Sequence, residues 1–118
     1  MTTQNRIARV LIAFGLAANL SAPAMADGDA AKGATVFKKC AACHSDKDMK
    51  NRVGPSLVGV FGRPVASIAD YKYSEPMKTY AATGGAWGDE NLNAYLLNPK
   101  AVVPAGKMAF AGLKKDDE

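Results

Sequence analysis

The residues of this chain best suited to chemistry lie together in one pentapeptide, Cys40-Ala41-Ala42-Cys43-His44. It holds both cysteines and the only histidine of the sequence. Two thiols three positions apart, followed directly by an imidazole, have the spacing of a c-type haem attachment site. Thiols at that spacing lie about one helical turn apart, so both can reach the vinyl groups on one edge of a porphyrin. The pattern predicts one covalently bound haem c, with His44 as an axial ligand of its iron.

Two other uses of paired thiols compete with this interpretation. A structural zinc site takes four nitrogen or sulfur ligands, and the sequence offers only three such residues. A thioredoxin-like dithiol normally lies near a βαβ pattern, which this sequence does not show. The haem interpretation is favoured, and a thiol oxidoreductase would require Cys40 and Cys43 to be free.

Residues 1–26 have the pattern of a cleavable secretory signal peptide. Arg6 and Arg9 precede an apolar run over residues 10–20, and the Ala-Met-Ala sequence that ends at Ala26 has the small-x-small form of a cleavage site. The apolar run is well short of the ~20 residues that span a bilayer. We therefore predict cleavage after Ala26 and a periplasmic location. Free thiols tend to oxidise there unless another reaction, such as haem attachment, consumes them.

The remaining chain, residues 27–118, is long enough for one small domain. The signal contains two of the fifteen basic residues and none of the eleven acidic ones, which leaves a net charge of +2. A domain of this size buries little core and usually needs an additional stabilising element, such as a disulfide, a metal or a bound cofactor. A covalently held macrocycle would supply that apolar centre.

The periodicity of residues 27–118 predicts an all-α fold, because no stretch alternates convincingly enough to form a strand. A first helix is expected from about Asp29 to Ala42, capped near its start and leading into the pentapeptide. Residues 45–69 are rich in Gly, Pro, Lys and Asp without clear periodicity. This stretch is predicted to form loops that wrap around a central object.

Two further helices are predicted in the second half of the chain. Ser74 can cap one that stops at Gly84-Gly85, and Asp89 can cap another that stops at Asn98-Pro99. The segment that contains Met108 has no helical pattern, so it is predicted to be irregular.

A methionine is the expected sixth ligand of the iron, and three methionines lie outside the predicted signal. Met49 is five residues from His44, and five residues extend ~17 Å at most, which barely takes the chain around a porphyrin. Met77 falls in the first turn of a predicted helix, where methionine more often packs in a core. Met108 lies far along the chain in an irregular segment that can return over the opposite face. It is the predicted ligand.

Several short motifs accompany the pentapeptide in a fixed order. They are Gly33 and Phe37 before it, then Gly54-Pro55-Ser56-Leu57, Phe61-Gly62-Arg63, Tyr71-Lys72-Tyr73-Ser74, Trp87, Tyr95-Leu96-Leu97-Asn98-Pro99-Lys100 and Gly106-Lys107-Met108-Ala109-Phe110. Together they resemble the bacterial class I cytochromes c, of the soluble monohaem type closest to the mitochondrial protein. The resemblance implies that residues 27–118 form one monohaem domain in which short helices and loops wrap around the haem.

The resemblance also implies roles for residues that contact the axial ligands. The Pro55 carbonyl would accept the proton on His44 Nδ1, which fixes the ring and its tautomer. Tyr95 would lie beside the Met108 sulfur and adjust its electronics through the hydroxyl group. The alternatives are an ordinary turn proline and a tyrosine that only packs there.

Three other side chains are implied to donate hydrogen bonds to the haem propionates: Arg63, Tyr73 and Trp87. Propionates cannot be buried as anions without such partners. Trp87 is the only tryptophan of the chain, and simple core packing would also account for it.

The chain stops at residues 116–118, where the family begins its last helix. In the family that helix crosses the one that contains Gly33 and Phe37. Phe37 is therefore expected to lose its partner and stay partly exposed, which forfeits up to ~3 kcal/mol of burial. A fragment of a longer domain is favoured over a complete but weakened one.

The leading functional hypothesis is one-electron transfer by a monomer, without nucleic acid and without enzymatic activity. Its partners would be membrane redox complexes such as an oxidase, a reductase or a photosynthetic reaction centre. They would dock through lysines near the haem edge, namely Lys38, Lys39, Lys100 and Lys107. The alternative is a five-coordinate haem protein with peroxidase-like or gas-binding activity, which requires that Met108 not bind the iron.

Overall fold

The computed structural model describes residues 28–118, which form four α-helices joined by loops. The elements are α1 (Ala30–Val36), a 3-10 turn (Phe37–Lys39), α2 (Glu75–Gly84), α3 (Asp89–Leu97) and α4 (Pro99–Val102). Within these residues the only strand-like pairing is an isolated antiparallel bridge between Pro64 and Ala86. The all-α prediction is confirmed. The predicted signal peptide and its cleavage site lie outside the described residues.

The first helix begins as predicted but ends early. The Asp29 carboxylate caps it by accepting two backbone N–H groups of the first turn, at 2.9 and 3.1 Å. The α-helix stops at Val36, and the chain then tightens into the 3-10 turn that leads to Cys40. The prediction of a continuous helix to Ala42 is therefore wrong. Tightening of this kind is common at helix C-termini, where carbonyl groups lack intrahelical partners.

The second helix has the predicted limits. The Ser74 hydroxyl accepts the N–H of Met77 at 3.3 Å, and Pro76 stands in the first turn, where its missing N–H costs nothing. The helix ends at Gly84, and Gly85 adopts φ = 63°, a conformation that favours glycine. The sequence signals at both ends are local, which explains the agreement.

The third helix ends before Asn98 as predicted, but its cap differs. Gly88 is the capping residue, and Asp89 is instead the first residue of the helix. The Asn91 side chain closes this end by accepting the Gly88 N–H at 2.7 Å. Pro99 does end α3, and it also begins the short α4.

The core is small and is built around aromatic rings. The buried cluster consists of Val65, Trp87, Tyr95 and Val103, with the Trp87 and Tyr95 ring centroids 5.2 Å apart. Partly buried residues complete it: Val60, Ala66, Met77, Tyr80, Ala81, Leu92, Val102 and Met108. In the part of the chain that the structure describes, the buried apolar side chains are these four, Ile68 and Pro99. So few buried residues suit a domain that completes its core with a prosthetic group.

The face of α1 is largely uncovered. None of its residues is buried, and an added Cβ at Gly33 would meet no atom within 4 Å. Phe37 is only partly buried, as the resemblance led us to expect. Across residues 28–118, no helix is both long enough and apolar enough to cross a bilayer.

Candidate haem site

The two cysteines lie in a tight turn directly after the 3-10 turn. The N–H groups of Cys43 and His44 both donate to the Cys40 carbonyl, each at 3.0 Å. The two cysteines form no disulfide with each other, and both are partly buried. Burial raises the pKa of the Cys40 thiol; Lys39 opposes this shift and Cys43 adds to it. The two hydrogen bonds to the Cys40 carbonyl close a helix-like turn from Cys40 to His44, which is the arrangement expected for attachment of both thiols to one porphyrin edge.

The imidazole of His44 is held by a backbone carbonyl. Its Nδ1 atom lies 2.8 Å from the carbonyl oxygen of Pro55. A carbonyl can only accept, so Nδ1 must carry the proton of the neutral ring. The Nε2 lone pair is then the one available to a metal.

Gly54 lies directly against the His44 ring. An ideal Cβ at this position would stand 2.7 Å from His44 Nδ1 and 2.8 Å from Nε2, closer than real side chains approach. The Gly54 N–H also donates to the Cys43 carbonyl at 2.8 Å, which ties the backbone to the haem-attachment turn. Only glycine allows both contacts, because any side chain would displace the imidazole.

Residues 45–58, which follow His44, form a loop that we call the proximal loop. Its polar side chains hold it in place. The Ser45 hydroxyl donates to the Asp48 carboxylate at 2.7 Å, which is the main reason that the pKa of Asp48 is lowered. The Ser56 hydroxyl donates to the Asp48 carbonyl at 2.6 Å and accepts the Val58 N–H at 3.2 Å. Both serines are buried, and Ser56 is completely inaccessible.

Arg63 joins this loop to the rest of the site. Its guanidinium donates to the carbonyls of Val58 at 3.0 Å and Ser56 at 2.9 Å. Its own carbonyl accepts the Trp87 N–H at 2.9 Å, so the two side chains belong to adjacent backbone segments. The Arg63 Nε atom is buried without a partner among residues 28–118. An unpaired buried donor costs about 1–3 kcal/mol, so this N–H suits a buried anion such as a haem propionate.

Tyr73 lies in a separate loop between Arg63 and α2. Its hydroxyl oxygen accepts the Ile68 N–H at 3.2 Å, which leaves the hydroxyl proton available for donation. Its ring meets that of Tyr71 edge-on, with centroids 4.9 Å apart. Tyr73 is partly buried and is not a member of the Trp87 cluster.

Met108 lies beside Tyr95 at the edge of the core. The Tyr95 hydroxyl is 3.9 Å from the Met108 sulfur. Burial, with a smaller contribution from Tyr71, raises the pKa of Tyr95, so its hydroxyl stays protonated and can donate. The segment that follows, residues 109–113, returns along α3, and the Leu113 N–H donates to the Leu96 carbonyl at 2.8 Å.

The structure thus brings most of the predicted site residues into two groups. One consists of Cys40, Cys43, His44 and Pro55; the other consists of Arg63, Trp87, Tyr95 and Met108. Arg63 connects them through its bond to Ser56 in the proximal loop. Tyr73 stands apart from both groups.

Sequence reasoning missed the residues that support the first group. The Ser-x-x-Asp spacing of Ser45 and Asp48 is typical of a turn closed by side chains, and it could have indicated their contact. The contact of Asn51 with the Ser56 N–H, at 3.1 Å, spans irregular chain and has no such signal. The sequence indicated Gly54 only as part of the Gly54-Pro55-Ser56-Leu57 motif.

Together these features suit a covalently attached haem: paired thiols, an imidazole with a fixed tautomer, an unpaired buried guanidinium N–H and a small core. In the part of the chain that the structure describes, no three His, Cys, Asp or Glu side chains converge to hold a metal ion. A structural zinc site would need such a cluster. The site is therefore that of a c-type haem protein.

Comparison with known proteins identifies the family. The cytochrome c family profile matches residues 30–107. Cytochrome c-550 of Ancylobacter novellus is 49% identical over 87 residues, which cover 73% of this chain and 81% of that protein. Cytochrome c2 of Afifella marina is 47% identical over 89 residues, covering 75% and 72%. Cytochrome c of Gibberella zeae is 47% identical over 93 residues, covering 77% and 85%.

This chain belongs to the cytochrome c family. Membership confirms the class I fold, the covalent haem c and the activity predicted from the sequence. The protein transfers electrons to and from redox partners and is not an enzyme. The Cys-x-x-Cys-His spacing that marks the haem attachment is present at Cys40, Cys43 and His44.

Proposed function

We propose that this protein carries single electrons between membrane redox complexes, with His44 and Met108 as the axial ligands of its haem iron. When bound, the haem supplies the one-electron chemistry by alternating between ferrous and ferric iron. The observation that carries the proposal is the Met108 sulfur, 3.9 Å from the buried Tyr95 hydroxyl. A methionine held there would be able to fill the second axial position. No open site would then remain for a substrate or a gas.

The other two methionines are less suited to this role. Met49 lies in the proximal loop, only five residues after His44, and is 57% exposed. Met77 is fixed in the first turn of α2, where it packs against the core. The Ser56 hydroxyl also lies 3.9 Å from the Met49 sulfur, but its proton is donated to the Asp48 carbonyl. Among the three methionines of residues 28–118, only Met108 combines an irregular backbone, a contact with the core and a hydroxyl group whose proton can be donated to its sulfur.

The chain's own groups would act on the iron through these ligands. The Pro55 carbonyl draws on the Nδ1 proton of His44 and makes the imidazole a stronger donor, which favours the ferric state. A soft thioether and a poorly hydrated pocket favour the ferrous state. Donation from Tyr95 to the Met108 sulfur withdraws electron density from it and acts in the same direction. The balance of these effects would set the reduction potential.

Docking would use the exposed lysines predicted from the sequence: Lys38, Lys39, Lys100 and Lys107. Two of them also have partners within the chain. Lys39 forms an ion pair with Glu118, and Lys107 lies 4.5 Å from the centroid of the Tyr71 ring. Lys38 and Lys100 are therefore the positions we expect to contribute most to an acidic partner surface. Electron delivery to such a partner should slow as ionic strength rises.

We also propose that residues 1–26 are removed on export to the periplasm and that residues 27–118 form the working monohaem domain. The match of the family profile from residue 30 supports this division. The intact mass of the purified exported protein tests it directly. The protein should begin at Asp27, and its mass should exceed that of its polypeptide by one haem.

The axial ligands are tested by spectroscopy on two variants. Ferric wild-type protein should be low-spin and show the weak near-infrared sulfur-to-iron band. Met108→Ala should lose this band and bind carbon monoxide when reduced, whereas the exposed Met49→Ala should keep the wild-type spectrum. High-spin wild-type protein that binds carbon monoxide readily would overturn the proposal and favour the five-coordinate alternative.

A further inference from the structure

We propose that Asn51 is a positioning residue that lowers the reduction potential through the peptide group between Pro55 and Ser56. This inference rests on the proposed ligation of the iron by His44. Within residues 28–118, Asn51 forms no hydrogen bond with His44 or with either thiol; its side chain accepts from Ser56. Its influence would pass through one backbone amide of the proximal loop.

That amide is hydrogen-bonded at both of its ends. Its carbonyl oxygen, from Pro55, lies 2.8 Å from His44 Nδ1. Its N–H, from Ser56, donates to the Asn51 Oδ1 atom at 3.1 Å. The three groups form one continuous chain, Nδ1–H to O=C–N–H to Oδ1. Hydrogen bonds arranged in series polarise one another, so the Asn51 acceptor increases the negative charge on the Pro55 oxygen.

A more negative oxygen attracts the His44 Nδ1 proton more strongly. The imidazole then acquires more anionic character and becomes a stronger donor through Nε2. Stronger donation favours ferric over ferrous iron, which lowers the potential. Removal of the Asn51 acceptor should therefore raise the potential.

The amide would keep its place without Asn51. The Ser56 side chain is completely buried and bonds to the Asp48 carbonyl, while Arg63 donates to the Ser56 carbonyl at 2.9 Å. These contacts flank the amide on its C-terminal side and do not involve Asn51. An Asn51 substitution should therefore change the polarisation of the carbonyl more than its position.

The test is a redox titration of haem-loaded Asn51→Ala and Asn51→Asp proteins at high salt. Asn51→Ala should raise the potential, changing the one-electron equilibrium constant about two- to fivefold, less than the roughly 10- to 100-fold effects of direct partners of metal ligands. Asn51→Asp keeps the acceptor oxygen and adds charge, so it should lower the potential. Lys50→Gln is the matched control, because it changes the net charge equally at an exposed neighbouring residue.

The sign of the change separates polarisation from simple loosening of the loop. A loosened loop admits water, which stabilises ferric iron and lowers the potential in both Asn51 variants. A lower or unchanged potential in Asn51→Ala would overturn the inference. If that variant does not yield haem protein, Asn51→Asp decides alone: a potential no lower than that of Lys50→Gln would overturn it.

A second readout comes from the proton on His44 Nδ1. In ferrous protein its NMR resonance should move upfield and exchange faster in Asn51→Ala than in wild type, because the hydrogen bond to Pro55 weakens. The near-infrared sulfur-to-iron band should be present in the wild type and in each variant. Its absence from the wild type would contradict ligation by Met108 and so the proposed function, whereas its presence with a wrong-signed shift would contradict only the role of Asn51.

Discussion

The two sides of the haem site are held in different ways. The proximal side consists of His44 and the proximal loop, and the distal side consists of Met108 and the residues that contact it. Most hydrogen bonds of the proximal loop join its own residues, and the bond from His44 to Pro55 also spans only eleven positions. Arg63 adds two bonds from just beyond the loop. Met108 is held by other elements of the fold: its sulfur lies beside the Tyr95 hydroxyl of α3, and neighbouring Lys107 donates to the Lys72 carbonyl, thirty-five positions away.

This difference predicts which ligand detaches first. Short-range contacts close small loops, so the proximal loop can keep its structure when the rest of the domain loosens. The Met108 side needs α3, the core and the loop around Tyr71 to be in place at once. Destabilisation should therefore release the sulfur before the imidazole, and local opening should begin at the distal side.

The largest effect is expected from Gly54→Ala, which perturbs the proximal side directly. The new methyl group would overlap the His44 ring and displace it from the Pro55 carbonyl. Overpacking of this severity should destabilise the haem protein by about 3 kcal/mol or prevent its formation. Denaturant unfolding followed by haem absorbance measures the effect.

Gly28→Ala is the control for that substitution. An added Cβ there meets no atom within 4 Å, and the residue is exposed ahead of α1. We expect it to stay within about 0.5 kcal/mol of wild type. A Gly54→Ala protein as stable as the control would show that the ring can move freely, contrary to the picture of a rigid proximal side.

Ser56→Ala should have the next largest effect. It removes a hydroxyl that donates to the Asp48 carbonyl and accepts the Val58 N–H, and it leaves both groups unpaired inside the proximal loop. Unpaired buried polar groups cost about 1–3 kcal/mol, and we expect a loss of stability in that range. Chemical denaturation measures it.

The exposed Ser67→Ala provides the comparison and should stay within about 0.5 kcal/mol of wild type. At neutral pH without denaturant, the Ser56 variant should keep its sulfur-to-iron band, since the Met108 contacts are untouched. Loss of that band under native conditions would show that the two sides are not independent.

The sequence was informative wherever the signal was local. Asp29, Ser74 and Gly85 act at helix ends as predicted, because a cap depends only on its immediate neighbours. The pentapeptide predicted the haem for the same reason. The capping residue of α3 was misplaced by one position, since either Gly88 or Asp89 can serve and the Asn91 side chain decides between them.

The supporting contacts of the site could not be predicted in this way. Asn51 reaches Ser56 across irregular chain. Arg63 donates to two carbonyls, and its Nε–H has no partner among residues 28–118. Such contacts depend on how loops fold back on one another, which no periodicity encodes. The continuous helix to Ala42 was wrong because helical spacing alone does not distinguish an α-helix from the 3-10 turn that replaces its end.

Lys107→Ala should weaken the distal side selectively. The Lys107 ammonium donates to the Lys72 carbonyl and lies over the Tyr71 ring, and the Tyr71 hydroxyl donates to the Val53 carbonyl in the proximal loop at 2.9 Å. Loss of the cation–π contact at an exposed site should cost about 0.5–1 kcal/mol. The sulfur-to-iron band should disappear at a lower denaturant concentration, while the haem stays bound to His44.

Lys100→Ala is the matched control, because it removes the same charge from an exposed residue of α4. It should leave the band at its wild-type midpoint. Equal shifts in the two variants would mean that net charge, rather than the contact with Tyr71, is responsible. The distal side would then lack the link to the proximal loop that the structure indicates.

The smallest effect concerns the acid stability of the proximal loop. The hydrogen bond from Ser45 is the main cause of the lowered pKa of Asp48. The ionised carboxylate therefore stabilises the folded state at pH values above the ordinary pKa of about 3.8. This contribution is lost as the pH falls through the lowered folded pKa. Asp48→Asn should therefore be less stable than wild type at neutral pH, with the difference vanishing in strong acid.

Ser45→Ala should bring the pKa of Asp48 back towards its ordinary value, which carboxylate NMR titration of the haem protein can follow. The exposed Asp46→Asn controls for the change of charge in the same loop. A stability difference between Asp48→Asn and wild type that persists in strong acid would mean that the loop depends on the shape of the side chain rather than on its charge. The bond from Ser45 would then contribute no more to the proximal side than an ordinary turn contact.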